Sequence, residues 1–471
     1  MKYFGTDGIR GKANSIWFDK IIVKVAKALV QYYNKNKLKK QILIGNDSRI
    51  SADYIMAKLS IILLKNGIEI HNLSMCSSPC LAYITKQFNY PLGLMISASH
   101  NPYEFNGIKF FLPTGEKVNE QFEIDFELLM DKKITLKNNE FKKIINVEDL
   151  QENYTNMLKK LKKFDFLCIF DCSNGGISKI CKNIFCKHEI ISALPNGKNI
   201  NENCGSTHIE KLKLLCLKKQ KIGFAFDGDG DRICVVDKNG RIFSGDEILF
   251  LLSKFYVKNS DYFIGTIYTN SALENELKKR NIKTIRASVG EKFIRENLST
   301  HFSSLGGEDS GHIIVKDFTQ TSDGILTAIL IGNIIESTHS TCSELIKNYH
   351  GFFQKRKDLI LPAESSILEE LKLLISFINV NISNPINNFD IGWNETKFNT
   401  FINSHFFIKN KNKILHIITL IKQEKSARII LRISGTEPVA RLFVESKSEK
   451  IANRLLNKIY DCLFSMFDQV I

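Results

Sequence analysis

The chain has 471 residues, room for about three ordinary domains with four accommodated. Its 44% hydrophobic, 24% charged and 10% aromatic content excludes a disordered, collagen-like or coiled-coil protein. Lys and Arg number 65 against 50 Asp and Glu, a net charge of +15, but the lysines are scattered and accompany frequent Ile, Asn and Phe, which reads as drift in an AT-rich genome, and no nucleic-acid partner is expected.

No apolar run is long enough to span a bilayer, so no membrane partner is expected. The first residues, MKYFGTD, lack the apolar core of a signal peptide, which predicts a cytoplasmic chain. The 11 cysteines include Cys76 with Cys80 and Cys168 with Cys172, both wider than the C-x2-C of tight zinc knuckles. Reduced, mostly buried thiols are expected.

Along the first third, Ile22, Val25, Ala26 and Leu29 carry helical spacing, residues 41–47 form a short apolar strand, and residues 54–64 return to helix. Residues 68–73, 92–96 and 108–112 read as further strands, so helices alternate with strands in an α/β unit. The rhythm restarts at 167–171, with helix signals to about Cys186 and strands at 222–226 and 233–236. It restarts again at 262–268 and closes with a helix over 323–336. Residues 365–415 are rich in Asn, Lys, Ile and Ser with little periodicity. Strands at 427–433 and 440–445 and a helix over 449–467 make a last α+β unit. Three α/β domains, 1–150, 151–252 and 253–360, and a smaller α+β domain, 361–471, are therefore expected.

The sharpest motif is DGDGDR at 227–232, directly after an apolar strand. In extended backbone alternate side chains share one side, so Asp227, Asp229 and Asp231 can converge, and the glycines between them let the loop curve. Uncompensated carboxylates that close would repel one another, and hard oxygen donors favour Mg²⁺ over zinc or copper. An EF-hand does not fit: Arg232 stands where that loop needs Gly and Lys238 where it needs Glu.

The stretch ISASHNP at 96–102 ends another apolar strand, and its Asn-Pro turn sets Ser99 on an exposed corner. It is not the Gly-x-Ser-x-Gly elbow of hydrolases. Ser99 and His100 are adjacent, so in extended backbone their side chains diverge and no dyad is implied. A hydroxyl within reach of a metal held by three Asp is a possible phosphoryl carrier. GGEDSGH at 306–312 offers Glu308 and Ser310 as acceptor and donor for sugar hydroxyls. RISGTEP at 432–438, with Arg441 following, offers hydroxyls, a backbone N–H nest and two guanidinium groups to a phosphate. Residues 5–12 only imitate a P-loop, since their glycines are wrongly spaced, and DCSNGG at 171–176 lacks the Gly-x-Gly-x-x-Gly of dinucleotide sites.

Together, these motifs resemble the α-D-phosphohexomutase superfamily, in its order and over nearly the whole chain, from FGTDGIRG at 4–11 to SGTEP at 434–438. The resemblance is finest to the branch that acts on glucosamine phosphates, and departs from it at Asp309, Ile433 and Ser446, where Gln, Lys and Gly are usual; residues 365–415 barely resemble the family. It implies four domains around a central cleft, three related α/β units with mixed sheets and a smaller C-terminal α+β domain. It also implies that Ser99 is phosphorylated and, with Asp227, Asp229 and Asp231, ligates Mg²⁺. Glu308 and Ser310 would contact the sugar, and Arg432, Ser434, Gly435, Thr436 and Arg441 would clasp its phosphate. Arg10, His100, Lys109 and Arg232 would be charged catalytic residues near the transferring group. The implied reaction converts glucosamine 6-phosphate to glucosamine 1-phosphate through a hexosamine 1,6-bisphosphate, for UDP-N-acetylglucosamine and the cell wall. A mutase for glucose or mannose phosphates would keep every motif. A catalytically dead sugar-phosphate-binding protein would instead show damage at Ser99 or the Asp triplet, and both are intact.

Overall fold

The computed structural model describes residues 2–133, 141–258, 261–360, 373–375, 402–433 and 439–467. The chain divides into two compact units, the first comprising Met1–Thr269 with Glu274–Tyr349, the second Asn270–Leu273 with His350–Ile471.

The first unit contains three mixed sheets. The first sheet has β1 (Ile9–Lys12), β2 (Gln41–Asn46), β3 (Glu69–Met75), β4 (Gly93–Ile96), β5 (Phe105–Phe111) and β6 (Ile144–Asn146), in the order β1-β5-β4-β2-β3-β6. Strands β4, β2, β3 and β6 run parallel, while β5 lies antiparallel between β4 and β1. The helix Ile16–Lys35 starts where the Ser15 hydroxyl accepts from the Phe18 N–H, and it buries Phe18, Ile22, Val25, Ala26 and Leu29 at helical spacing. Aromatic rings fill much of this core: Phe126 lies 5.0 Å from Phe110 and 5.4 Å from Phe122. Each ring so buried contributes about 1.5–3 kcal/mol, which is what the abundance of Phe supplies.

The second sheet has β7 (Ile169–Asp171), β8 (Glu189–Ile191), β9 (Gly223–Phe226), β10 (Ile233–Val236) and β11 (Ile242–Phe243), in the order β11-β10-β9-β7-β8. The third has β12 (Tyr262–Thr266), β13 (Lys283–Ala287), β14 (Leu305–Gly307) and β15 (Ile313–Val315), in the order β13-β12-β14-β15. The three sheets share one device: a strand with a parallel neighbour turns back into an antiparallel partner, at β4–β5, β9–β10 and β14–β15. The connections are the serine, aspartate and Glu308 loops respectively. All leave the carboxyl end of a parallel strand, where open α/β sheets present their ligand sites.

The second unit is a small α+β layer. Strands β16 (Phe353–Ile360), β17 (Ala427–Ile433) and β18 (Val439–Ser446) pair antiparallel in the order β16-β18-β17, and helices His405–Gln423 and Glu449–Phe467 share their core through Ile414, Ile417, Leu442, Val444, Leu455 and Ile459.

Most expected elements lie within a few residues of their observed bounds, and the differences have local causes. The near-P-loop is strand β1, whose Arg10 stands opposite Gly107 of β5. The stretch read as aperiodic ends in the helix His405–Gln423, capped by Ser404; its Lys and Asn residues separate the buried Phe406, Phe407, Ile414, Ile417 and Ile418. Strand β16, which was not expected and falls within the residues read as the third α/β domain, pairs along its length with β18 and lies in the second unit. The cysteines are free and mostly buried, Cys186 being exposed. No helix of the described residues is long and apolar enough to cross a membrane.

The apolar helix Gly324–Thr338 starts at a titratable cap. Asp323 is buried and accepts from the Leu326 N–H at 2.9 Å and the Tyr154 hydroxyl at 2.7 Å. Burial nonetheless pushes its carboxyl up to about 6. The unfolded value is about 3.9, so the folded chain binds the extra proton between those limits. The stabilisation from this group is complete below the unfolded value and is lost as pH rises through about 6. Asp323→Asn should flatten the melting temperature between about pH 4 and 6; melts across that range check this.

Candidate active site

The serine, aspartate and Glu308 loops meet in the first unit, and backbone bonds tie the aspartate loop and the strand after it to segments around them, the Glu308 loop among them. The Ser78 N–H donates to the Asp229 carbonyl at 2.9 Å, the Gly176 N–H to Gly228 at 2.8 Å, the Gly324 N–H to Gly230 at 3.1 Å and the Ile233 N–H to Gly311 at 3.1 Å. Two glycines of the aspartate loop are required. Gly230 has φ +76°, and a Cβ on Gly228 would stand 2.6 Å from the Ser99 carbonyl oxygen.

Asp227, Asp229 and Asp231 are fully buried, and each presents a carboxylate oxygen within 4.8 Å of the others. Ser99 Oγ donates to Asp227 Oδ2 at 2.5 Å, and the Arg232 N–H donates to Asp227 Oδ1 at 3.1 Å. The cluster is not uncompensated, as the sequence suggested. Lys109 Nζ lies 2.6 Å from Asp229 Oδ2, 3.0 Å from Asp231 Oδ2 and 2.7 Å from Asp7 Oδ2. Lys117 Nζ lies 3.1 Å from Asp231 Oδ2, 2.8 Å from Asp7 Oδ1 and 2.5 Å from Glu291 Oε2. Asp7 also holds Arg10, at 2.5 Å.

These contacts set the protonation states. Burial alone would raise the Asp231 carboxyl, but the ammonium groups of Lys109 and Lys117 hold it well below the usual range. Burial opposes the charge on Lys109 as well, yet Asp229, Asp231 and Asp7 raise its pKa above the ordinary value. Among the described residues no lysine pairs with Asp227, and burial with the charges of Asp231 and Asp229 pushes it up to about 7. Asp229 Oδ2 accepts from Ser78 and Lys109, whereas its buried Oδ1 has no hydrogen-bond partner among the described residues. An orphaned carboxylate oxygen beside two further carboxylates is the donor set a hard divalent cation uses, so the residues fit a metal ion.

Ser99 differs from expectation in two ways. It is fully buried, because loops from the second sheet cover the turn that its own sequence presents as a corner. Its backbone is left-handed, φ +56°, instead of extended, which brings Oγ to 3.4 Å from His100 Nδ1. Burial, then Arg232 and Arg10, push His100 down to about 3, so the imidazole facing Ser99 is neutral.

Glu308 is buried and joins this network through His312, whose Nδ1 lies 2.7 Å from Glu308 Oε1 and whose Nε2 lies 3.2 Å from Asp231 Oδ1. Burial and Arg232 disfavour the imidazolium, but Asp231 and Glu308 outweigh them and raise His312 to about 9. Ser310 is exposed, its Oγ 3.2 Å from His312 Nδ1. The second unit holds Arg432 and Arg441 directly opposite each other on β17 and β18, hence on one face, with Arg441 Nε 3.9 Å from Asp358 Oδ2. Ser434, Gly435 and Thr436 lie outside the described residues.

The first unit thus brings together Arg10, Ser99, His100, Lys109, Asp227, Asp229, Asp231, Arg232 and Glu308. Sequence reasoning missed Asp7, Lys117, Glu291 and His312. Asp7 and His312 stand inside motifs that had been singled out, whereas Lys117 follows an ordinary turn and carries no local signal.

The chain resembles known proteins over nearly its whole length. Residues 1–135 match the phosphoglucomutase/phosphomannomutase alpha/beta/alpha domain I, residues 244–352 its domain III and residues 413–461 its C-terminal domain. A phosphoglucosamine mutase of Halalkalibacterium halodurans is 33% identical over 477 residues, 98% of either chain. A phosphoglucomutase/phosphomannomutase family protein from Burkholderia thailandensis has the same fold, with TM-score 0.74 at 18% identity over 98% of this chain and 96% of that one. The N-acetylphosphoglucosamine mutase of Aspergillus fumigatus, solved with GlcNAc-6P and magnesium, superposes with TM-score 0.63 at 16% identity over 99% of this chain and 96% of that one. Aligned end to end with such relatives, and matched in order by domains I, III and IV of their family, the chain belongs to the phosphoglucosamine mutase family of phosphohexomutases.

Proposed function

We propose that the chain interconverts glucosamine 6-phosphate and glucosamine 1-phosphate, with Ser99 as phosphoryl carrier and hexosamine 1,6-bisphosphate as intermediate. The observation that carries this is the Ser99 hydroxyl set against the buried Asp227, Asp229, Asp231 cluster. In the forward step a hydroxyl oxygen of the sugar monophosphate gives up its proton and bonds to phosphorus while the Oγ–P bond of phosphoserine breaks and Oγ takes up a proton, giving bisphosphate and free Ser99. The bisphosphate then returns its other phosphoryl group to Ser99 Oγ, and the monophosphate isomer leaves. His100, neutral and 3.4 Å from Oγ, is suited to take the proton released at the serine as the phosphoryl group returns. Arg10, Lys109 and Arg232 stay cationic around the transferring group and offset its charge. Mg²⁺, held by Asp227, Asp229, Asp231 and a phosphoserine oxygen, would neutralise the developing charge on that group.

Glu308 and Ser310 face the sugar hydroxyls in this proposal, and Arg432, Ser434, Gly435, Thr436 and Arg441 hold the distal phosphate. The first unit is read as domains divided near residues 150 and 252, and the enzyme as cytoplasmic. Arg441→Ala should raise KM by about 10- to 150-fold if it donates a charge-assisted bond to phosphate; an unchanged KM would place that phosphate elsewhere.

Substrate choice tests the assignment itself. A carboxylate at Glu308 can pair with a 2-ammonium group as well as accept from hydroxyls, a contact of about 1.5–3 kcal/mol, or roughly 10- to 150-fold in kcat/KM. Glucosamine 6-phosphate should therefore exceed glucose 6-phosphate, and mannose 6-phosphate, with its axial 2-hydroxyl, should be poorest. Side-by-side kinetics with a bisphosphate primer decide it. If glucose or mannose phosphate is preferred, the carrier mechanism stands and the glucosamine assignment falls.

A further inference from the structure

The Ser99 turn is gripped from two sides by residues that never touch its hydroxyl. From the first sheet comes Arg49, completely buried. Its Nε donates to Asp47 Oδ2 at 2.9 Å, its Nη2 to the carbonyls of Ser99 at 2.8 Å and Asn101 at 2.7 Å, and its Nη1 to those of Phe105 at 2.9 Å and Pro102. Every N–H direction of the guanidinium is thereby used, mostly on carbonyl oxygens of one turn. Asp47 follows β2, accepts from Ser97 Oγ at 2.7 Å, and Ser97 Oγ accepts from the Ser99 N–H at 2.9 Å. From the second sheet comes Asn201, whose Nδ2 donates to the same two carbonyls, Ser99 at 2.9 Å and Asn101 at 3.1 Å. Asn201 is buried, and its own N–H donates to the Ser173 carbonyl at 2.9 Å in the loop after β7. A Cβ on Gly228 would meet both the Ser99 oxygen at 2.6 Å and Asn201 Nδ2 at 3.0 Å, so Asn201 is wedged where the aspartate loop passes the serine turn.

A side-chain-bearing residue at φ +56° persists only where its surroundings over-determine it. Here Ser99 is over-determined by donors to its carbonyl and an acceptor for its N–H. We propose that Arg49 and Asn201 are positioning residues for phosphoryl transfer: they hold the Ser99–Asn101 turn by its carbonyl oxygens and so aim the Ser99 hydroxyl at Asp227. This rests on Ser99 being the phosphoryl carrier. Neither side chain lies against the proposed sugar contacts, so its loss acts on the rate of transfer and not on sugar binding.

The test is Asn201→Ala in the full-length enzyme with Mg²⁺, with Asn201→Asp and Arg49→Lys beside it. Three quantities are measured: kcat and KM for glucosamine 6-phosphate, the melting temperature, and the rate at which dephosphorylated Ser99 takes phosphate from glucose 1,6-bisphosphate, followed by intact mass. Displacing a nucleophile by a fraction of an ångström should lower kcat by about 10- to 100-fold. KM should stay within about 3-fold, and Ser99 phosphorylation should slow by the same factor as kcat. Asn201→Asp keeps the shape but turns a carboxylate oxygen on the carbonyls, so it should lose as much. Arg49→Lys keeps the charge but not the fork, and should not restore the rate. A folded Asn201→Ala or Asn201→Asp enzyme with kcat within about 2-fold of the parent, a loss that vanishes once the assay is run well below the melting temperature, or full activity in Arg49→Lys would each overturn the proposal. A parent enzyme that turns over without ever phosphorylating Ser99 would instead remove the carrier reading beneath it.

Discussion

Ser99→Ala should leave a folded protein with no measurable mutase turnover, a loss of at least about 10³-fold if the covalent carrier is removed. The substitution deletes Oγ alone. The turn itself is fixed through carbonyl oxygens and the Ser99 N–H, bonds that an alanine retains. The lost bond to Asp227 should cost about 0.5–1.5 kcal/mol of stability, a small fall in melting temperature. Turnover assays and thermal melts on one preparation separate the two effects. Activity at the parental level would exclude Ser99 as the carrier.

The second large effect is expected at Asp229. Its Oδ2 is engaged by Lys109 and Ser78, while its buried Oδ1 is the oxygen left for a cation. Asp229→Asn removes one negative charge from that cluster and should lower kcat by at least about 100-fold, the scale of losing one electrostatic stabiliser of a transferring group. Excess EDTA should suppress the parent enzyme similarly. Added Mg²⁺ should raise the melting temperature of the parent, because a ligand that binds only the folded state stabilises it, and should do so far less in Asp229→Asn. Undiminished turnover in EDTA would exclude a metal-assisted transfer.

Much of this site was legible because its motifs are short, contiguous and placed after apolar strands. Asp227, Asp229 and Asp231 converge through local backbone geometry alone, which spacing can reveal. The chain also repeats a parallel strand followed by an antiparallel return, so the loops that read as polar turns sit at equivalent places in three sheets. What remained hidden depends on distant partners. Lys117 looks like any lysine after a turn until Asp7 and Glu291 are folded against it. Ser99 reads as an exposed corner because Asn-Pro marks a turn, whereas Asn201 and Gly228, far along the chain, cover it. Lys109 is named through the family resemblance alone, and its compensation of the carboxylates, like that of Lys117, stays hidden for the same reason: like-charge repulsion can be read from one loop, its relief only from the folded chain. The helix His405–Gln423 was hidden by composition, its buried face being diluted by Lys and Asn.

The most direct measurement is the mass of the intact protein before and after exposure to glucose 1,6-bisphosphate with Mg²⁺, followed by fragmentation to locate any modification. One phosphoryl group should appear on Ser99, and it should be lost when glucosamine 6-phosphate is added, as bisphosphate forms. Sustained turnover with no phosphate on the protein, or with phosphate on a residue other than Ser99, would contradict the mechanism.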